Sequence, residues 1–252
     1  MNEKKIWEEA HGNGYTNKVF SLLDSKLVLD KFQQELLHFR NDVDCIKVLI
    51  PGCGSNVNLQ LCCDKVFGEK VVIYALDWSK EAIEKSKEKT NSLGIHVNYL
   101  NQSYYDLKIE PSFFDIIIMS NAIVSDSYEN NVAAIANLIG VLKSGGALLG
   151  LLPSPFNMLD YALTNSDARE WLVDGTVNVN ERRIYEKNFS NQRFFSPLEL
   201  YILLKKNNCI IDKFELFFYD DDDFAKQISN LYKIRYNNDY CFWGYFINVK
   251  KK

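Results

Sequence analysis

The sequence predicts an α/β fold, a mostly parallel sheet with helices on both faces, and three observations carry that prediction. Short apolar runs alternate with helix-periodic segments through the middle of the chain. The first run ends in a glycine turn, Val48-Leu49-Ile50-Pro51-Gly52-Cys53-Gly54-Ser55-Asn56, and the second ends in an acidic residue, Tyr74-Ala75-Leu76-Asp77-Trp78-Ser79. At 252 residues the chain is also long enough to bury the core such a sheet requires.

The elements follow in order within one domain spanning 1–252. Residues 1–44 form an N-terminal helical cap, since Val19, Phe20, Leu22, Leu23, Leu27, Val28, Phe32, Leu36 and Phe39 recur at helix-like spacing. Ahead of them, His11-Gly12-Asn13-Gly14-Tyr15-Thr16-Asn17 reads as a glycine-punctuated turn. Residues 45–153 are the cofactor-binding core, with strands at 46–50, 71–76, 95–100, 114–119 and 147–152 and helices at 57–67, 79–93 and 129–143. Gly145 and Gly146 are expected to supply a left-handed helix cap and the turn into the last of these strands.

After Pro153 the alternation stops, and 154–195 is read as a lid insertion rich in Phe156, Met158, Tyr161, Trp171, Tyr185, Phe189, Phe194 and Phe195. Ser196-Pro197 restarts a helix, with Ser as N-cap and Pro at the first position. Two late strands near 211–219 and 241–250 complete the C-terminal part, 196–252.

The glycine turn is where chemistry is expected. A chain leaving a buried strand must reverse tightly while a ligand approaches its backbone, and Gly52 and Gly54 permit both because they lack Cβ. Asp77, at the tip of the neighbouring strand, stands where a carboxylate accepts hydrogen bonds from both hydroxyls of a ribose. The third glycine of the dinucleotide fingerprint is missing.

On these residues, over roughly 46–152, the chain resembles the class I S-adenosylmethionine-dependent methyltransferases. The resemblance extends to the Lys143-Ser144-Gly145-Gly146 turn ahead of the fifth strand. It implies a seven-stranded Rossmann-like sheet, mostly parallel with an antiparallel last strand, and S-adenosyl-L-methionine as cofactor. Gly52, Cys53, Gly54 and Asn56 would then border the methionine part, with Asp77 at the ribose and Trp78 stacked on the adenine. Gln102 and Ser103 would lie at the adenine edge, although Ser103 stands where the family usually carries Asp. Ser120, Asn121 and Ala122, at the fourth strand tip, would lie under the methionine part. The Asn/Asp-Pro-Pro-aromatic motif of enzymes that methylate base or glutamine nitrogens is absent.

Methyl transfer from a sulfonium requires alignment and exclusion of water more than a fixed catalytic group. His11 and Tyr15 are the candidate catalytic residues, and Tyr15, Asp126, Phe156, Tyr161, Trp171 and Arg193 the candidate substrate contacts. A net charge of −4 and a pI near 5.5 provide no global field for a phosphate backbone, so a small-molecule acceptor is expected and nucleic acid is not. The alternatives are a protein or RNA methyltransferase and a non-catalytic cofactor-binding partner subunit.

No apolar run is long enough for a membrane span, which points to a cytoplasmic protein with no membrane partner, and a homodimer is left open. Six cysteines without a C-x-x-C pair and three scattered histidines predict free thiols and no metal site. Asp220-Asp221-Asp222-Asp223 reads as a solvated acidic turn.

Overall fold

The computed structural model describes residues 3–12, 22–40, 44–165, 168–185 and 191–252. Helices α1 (Glu3–Gly12) and α2 (Lys26–Leu37) lead into the alternating core. That core runs β1 (Ile46–Pro51), α3 (Asn58–Phe67), β2 (Val71–Asp77), α4 (Lys80–Ser92), β3 (Val97–Asn101), β4 (Phe114–Ser120), α5 (Tyr128–Val141) and β5 (Leu142–Pro153). The insertion holds α6 (Pro155–Thr164), α7 (Glu170–Val173) and three two-residue strands, β6 (Val177–Asn178), β7 (Arg183–Ile184) and β8 (Gln192–Arg193). The chain then continues with α8 (Pro197–Lys206), β9 (Cys209–Tyr219), α9 (Asp222–Tyr232) and β10 (Cys241–Lys251).

The large sheet has the order β3-β2-β1-β4-β5-β10-β9. Pairings from β3 through β5 are parallel, and β10 is antiparallel to both of its neighbours. The chain reverses direction across the sheet between β1 and β4, which opens a crevice at the carboxyl ends of β1, β2 and β4. Helices bury both faces. Phe32 and Leu36 of α2 and Cys62 and Cys63 of α3 cover one, and Ile135 and Leu138 of α5 with Leu200 and Leu204 of α8 cover the other. This is why β1 and β4 read as unbroken apolar runs: Val48, Leu49, Ile116, Ile117 and Ile118 have core on either side.

Helix starts follow their capping residues. Ser79, Ser127, Ser154 and Ser196 each accept from a first-turn amide, and Ser196 and Glu199 complete a capping box ahead of α8. Five cysteines are buried and Cys45 is exposed, all of them free thiols. No cluster of metal-binding side chains and no helix long and apolar enough to cross a membrane occurs among the described residues.

Three sequence expectations are corrected. Helix α5 ends at Val141 and β5 begins at once, so Gly145 (φ +77°) does not cap the helix. It turns an excursion within the strand, where the β4 register jumps from Phe114↔Leu142 to Ile116↔Ala147. The Asp220–Asp223 run opens α9 instead of forming a free turn, because the Asp221 side chain caps the amides of Asp223 and Phe224. His11 and Gly12 belong to α1, so that turn starts no earlier than Asn13, and residues 13–17 lie outside the described residues.

Candidate active site

A cavity of about 110 Å³ lies at the carboxyl ends of β1, β2 and β4. Gly52 and Gly54, both left-handed (φ +60° and +57°), form its floor. A Cβ on Gly52 would stand 2.8 Å from Ala122 Cβ, so the first turn can touch the β4 loop only as glycine. Gly54 N and Ser79 N donate to opposite oxygens of the buried Asp77 carboxylate, each at 2.9 Å. A carboxylate has about four lone-pair sites, so part of its capacity remains for a ligand. Burial raises the Asp77 pKa, with the Ser79 and Gly54 amides working against that rise.

Trp78 continues from Asp77 as one wall, facing Tyr104 (6.5 Å between ring centroids, 25° between planes) and Tyr105 (5.6 Å). The Tyr104 hydroxyl donates to the Ala122 carbonyl and ties the loop after β3 to the β4 tip. Neither tyrosine stands out in the sequence; the only signal was their place two positions after the expected adenine contacts. Gln102 and Ser103 themselves turn away from the cavity into an open groove with Asn101, Asp106 and Lys108. There Ser103 Oγ accepts from Tyr105 N and Gln102 Oε1 from Lys108 N, so these side chains shape the loop that aims the tyrosines.

Helix α1 closes the cavity from above with Glu3, Trp7 and His11. Glu3 accepts from Ser125 Oγ and Asp126 N, both at 2.9 Å, and Glu8 accepts from Lys80 N at the start of α4. Lys85 donates to the His11 carbonyl. His11 is buried over Gly54, 3.5 Å from where a Cβ would stand, and burial lowers its pKa despite the nearby Asp77 charge. Sites that enclose a drug-sized ligand measure roughly 300 Å³ or more, so the cavity under α1 is smaller than a nucleoside-sized ligand needs.

At the β4 tip, Asn121 and Ala122 line the cavity, and the Ser120 hydroxyl is buried without a partner among the described residues. Asn121 is left-handed (φ +52°), unusual for a residue with a side chain, and its Oδ1 accepts from Trp243 Nε1 at 2.9 Å. Cys53 and Asn56 do not line the cavity. The Cys53 thiol is packed in the core, and burial raises its pKa well above the ordinary thiol range. Asn56 bonds Asp24 and the amide of Asn58, which starts α3.

The candidate substrate contacts do not converge. Asp126 pairs with Arg183 in an open groove beside the cavity, shared with Glu3, Trp78, Tyr105 and Glu129. Arg193 is buried against Tyr128 (4.2 Å) and Glu199 (2.8 Å), where it fastens β8 to α8. Tyr161 packs between Trp171 and Phe224, and Phe156 is exposed, so none of the three lid aromatics proposed as contacts faces the cavity. Phe194 and Phe195 are likewise core residues. Tyr15 and Phe189 lie outside the described residues.

The strand order, the crevice and the glycine and carboxylate pair define a doubly wound domain with its crevice at the topological switch point, where ligands bind in such sheets. Residues 48–146 match the family model described as a methyltransferase domain. No curated protein matches the sequence. Among solved structures, the chain is similar to an S-adenosylmethionine-dependent methyltransferase of Methanosarcina mazei, with 19% identity, 86% of this chain and 96% of that chain covered, and a TM-score of 0.62. It is also similar to the magnesium protoporphyrin IX methyltransferase of Synechocystis PCC 6803 with bound S-adenosylhomocysteine (SAH), with 12% identity, 100% of both chains covered and a TM-score of 0.66. The chain thus carries a stretch that matches a methyltransferase domain, on a fold it shares with solved S-adenosylmethionine-dependent methyltransferases.

The lining residues fit S-adenosylmethionine in their chemistry. The bare glycine floor accepts close approach, Asp77 has acceptor capacity left, and the unpartnered Ser120 hydroxyl lies at the β4 tip.

Proposed function

We propose that the protein methylates a small molecule by in-line displacement in the cavity beneath α1. The observation that carries this reading is that Glu3, Trp7 and His11 of α1 line the cavity, so a helix stands between it and any folded macromolecule. The adjoining groove supports it. Glu3, Asp126 and Glu129 face a single guanidinium there, Arg183, an arrangement that repels a nucleic-acid backbone. The Synechocystis enzyme of similar fold is named for magnesium protoporphyrin IX, a small acceptor, and that supports the reading.

When bound, S-adenosylmethionine supplies a methyl group on a positively charged sulfur, already activated for displacement. In this reading Asp77 accepts from the ribose hydroxyls, and Trp78 with Tyr104 and Tyr105 flanks the adenine. Gly52 and Gly54 hold the methionine part against the first turn, beside Ala122. Helix α1 excludes water once it has closed. His11, which burial favours in its neutral form, lies over Gly54 and is the candidate base on α1. Calorimetry with SAH and with a nicotinamide dinucleotide tests the cofactor site: the first should bind and the second should not. Acceptor size follows from a structure with SAH bound, and an open, basic trough beside the sulfur would overturn the small-molecule reading.

A further inference from the structure

The last strand reaches into the site through a single irregularity. Along the β10 and β9 pairing, Phe242 stands opposite Phe218 and Gly244 opposite Phe217, so Trp243 is an extra, bulged residue. The bulge is tight against β5. Ser154 N donates to the Trp243 carbonyl at 3.1 Å, and a Cβ on Gly244 would fall 2.0 Å from the Leu152 carbonyl oxygen. Only glycine fits there, and the result is an indole swung off the ladder. It packs edge-on against Tyr219 (5.7 Å) and sends its N–H to Asn121 at 2.9 Å.

That hydrogen bond determines which way the Asn121 amide points. An indole nitrogen is a donor only, so its partner must be the amide oxygen and not the nitrogen. The backbone is held as well, because Asn121 N donates to the Leu151 carbonyl at 2.9 Å. Asn121 lines the cavity with its oxygen taken, and its Nδ2 has no partner among the described residues. With its oxygen committed to Trp243, the hydrogen-bonding group that the Asn121 side chain has left for a ligand is its NH₂. An aminated nucleophile needs the opposite, a carbonyl to accept its N–H; an oxygen group is what a fixed NH₂ can bind.

We propose that Asn121, locked by Trp243, selects a methyl acceptor that presents oxygen (a carboxylate, carbonyl or hydroxyl oxygen) and disfavours one that presents an amine. Asn121 is the specificity-determining residue and Trp243 the positioning residue behind it. The inference rests on the methyltransferase reading and deepens it. The other carboxylates of the cavity do not oppose it: Asp77 is held by two amides, and Glu3 by Ser125 and Asp126.

Nitrogen-15 NMR tests this directly. The Asn121 side-chain NH₂ pair is assigned by its disappearance in Asn121→Asp, and the protein is saturated with SAH, whose binding is read independently from the Gly52 and Gly54 amides. Failure of those glycine signals to move would overturn the cofactor reading and leave the amide orientation to be read separately. With SAH bound, acetate should shift the Asn121 pair and methylammonium should leave it in place. In Trp243→Phe, which keeps the ring but not the N–H, the amide is free to flip and the two probes should become equivalent. The proposal is overturned if methylammonium moves the pair as much as acetate does, or if neither moves it. It is also overturned if SAH alone shifts the pair while 5′-methylthioadenosine, which has no carboxylate, does not, since the donor would then serve the cofactor.

Discussion

Asp77→Asn separates the structural duty of this residue from its expected duty toward the ribose. The wild-type carboxylate receives Gly54 N on one oxygen and Ser79 N on the other, both at 2.9 Å. Asparagine keeps the shape but offers one oxygen, so one of these two amides would face an NH₂ group. A buried donor left without an acceptor costs about 1–3 kcal/mol of stability. For a domain of this size each kcal/mol lowers Tm by roughly 2–4 °C. A hydrogen bond to a charged group contributes about 1.5–3 kcal/mol, so loss of the ribose acceptor should raise the Kd for SAH by roughly 10- to 150-fold. The two effects are read separately, by thermal unfolding without ligand and by calorimetry at a temperature where the variant is folded. A lowered Tm with a Kd within twofold of wild type would refute the reasoning, because Asp77 would then only brace the glycine turn.

Three further outcomes are expected. Gly52→Ala combines a left-handed φ of +60° with a methyl 2.8 Å from Ala122 Cβ, so it should cost about 2–4 kcal/mol in chemical denaturation and abolish measurable SAH binding. Glu3→Ala with Glu8→Ala removes acceptors that tie α1 to Ser125, Asp126 and Lys80; stopped-flow fluorescence of Trp7 and Trp78 should then show SAH associating several-fold faster, and an unchanged rate would mean that α1 is not the gate. Burial pushes the pKa of Glu35 up, but Lys213, Asn248 and Lys31 together bring it below the ordinary value of 4.5, so its contribution is full above that pH and is lost as pH falls through the folded-state value. Glu35→Gln should therefore cost about 3 kcal/mol in urea at pH 7, and the gap from wild type should narrow below about pH 4.

The core of the fold was legible because its signals are local. Continuous apolar runs mark strands covered on both faces, and Ser196 marks a helix start from the position before it. Gly52, Gly54 and Asp77 were legible for the same reason, since the turn demands left-handed residues and Asp77 is the last residue of the neighbouring strand. What escaped depends on distant partners. Glu3 and Trp7 sit on the site because α1 crosses it, Tyr104 and Tyr105 because a loop folds back, and Trp243 because of a bulge on the far side of β5. The strands β6 to β8 are two residues long, too short for any period to show. The aromatics of the insertion misled because a lid packed on its own core and a pocket lined for a ligand draw on the same side chains, as Tyr161 between Trp171 and Phe224 illustrates.

The position of β10 has a consequence for how this enzyme is made. It lies between β5 and β9, although it is the last strand in sequence, so β9 has no place in the sheet until the ribosome has released the segment that follows it. The contact between Trp243 and Asn121 spans 122 residues, a separation whose loop-closure entropy must be offset before the contact forms. During synthesis the glycine turn and Asp77 can assemble early on β1 and β2, while the amide of Asn121 stays unoriented. A nascent chain could therefore hold its cofactor before it can choose among acceptors, and selectivity would be the final property that folding confers.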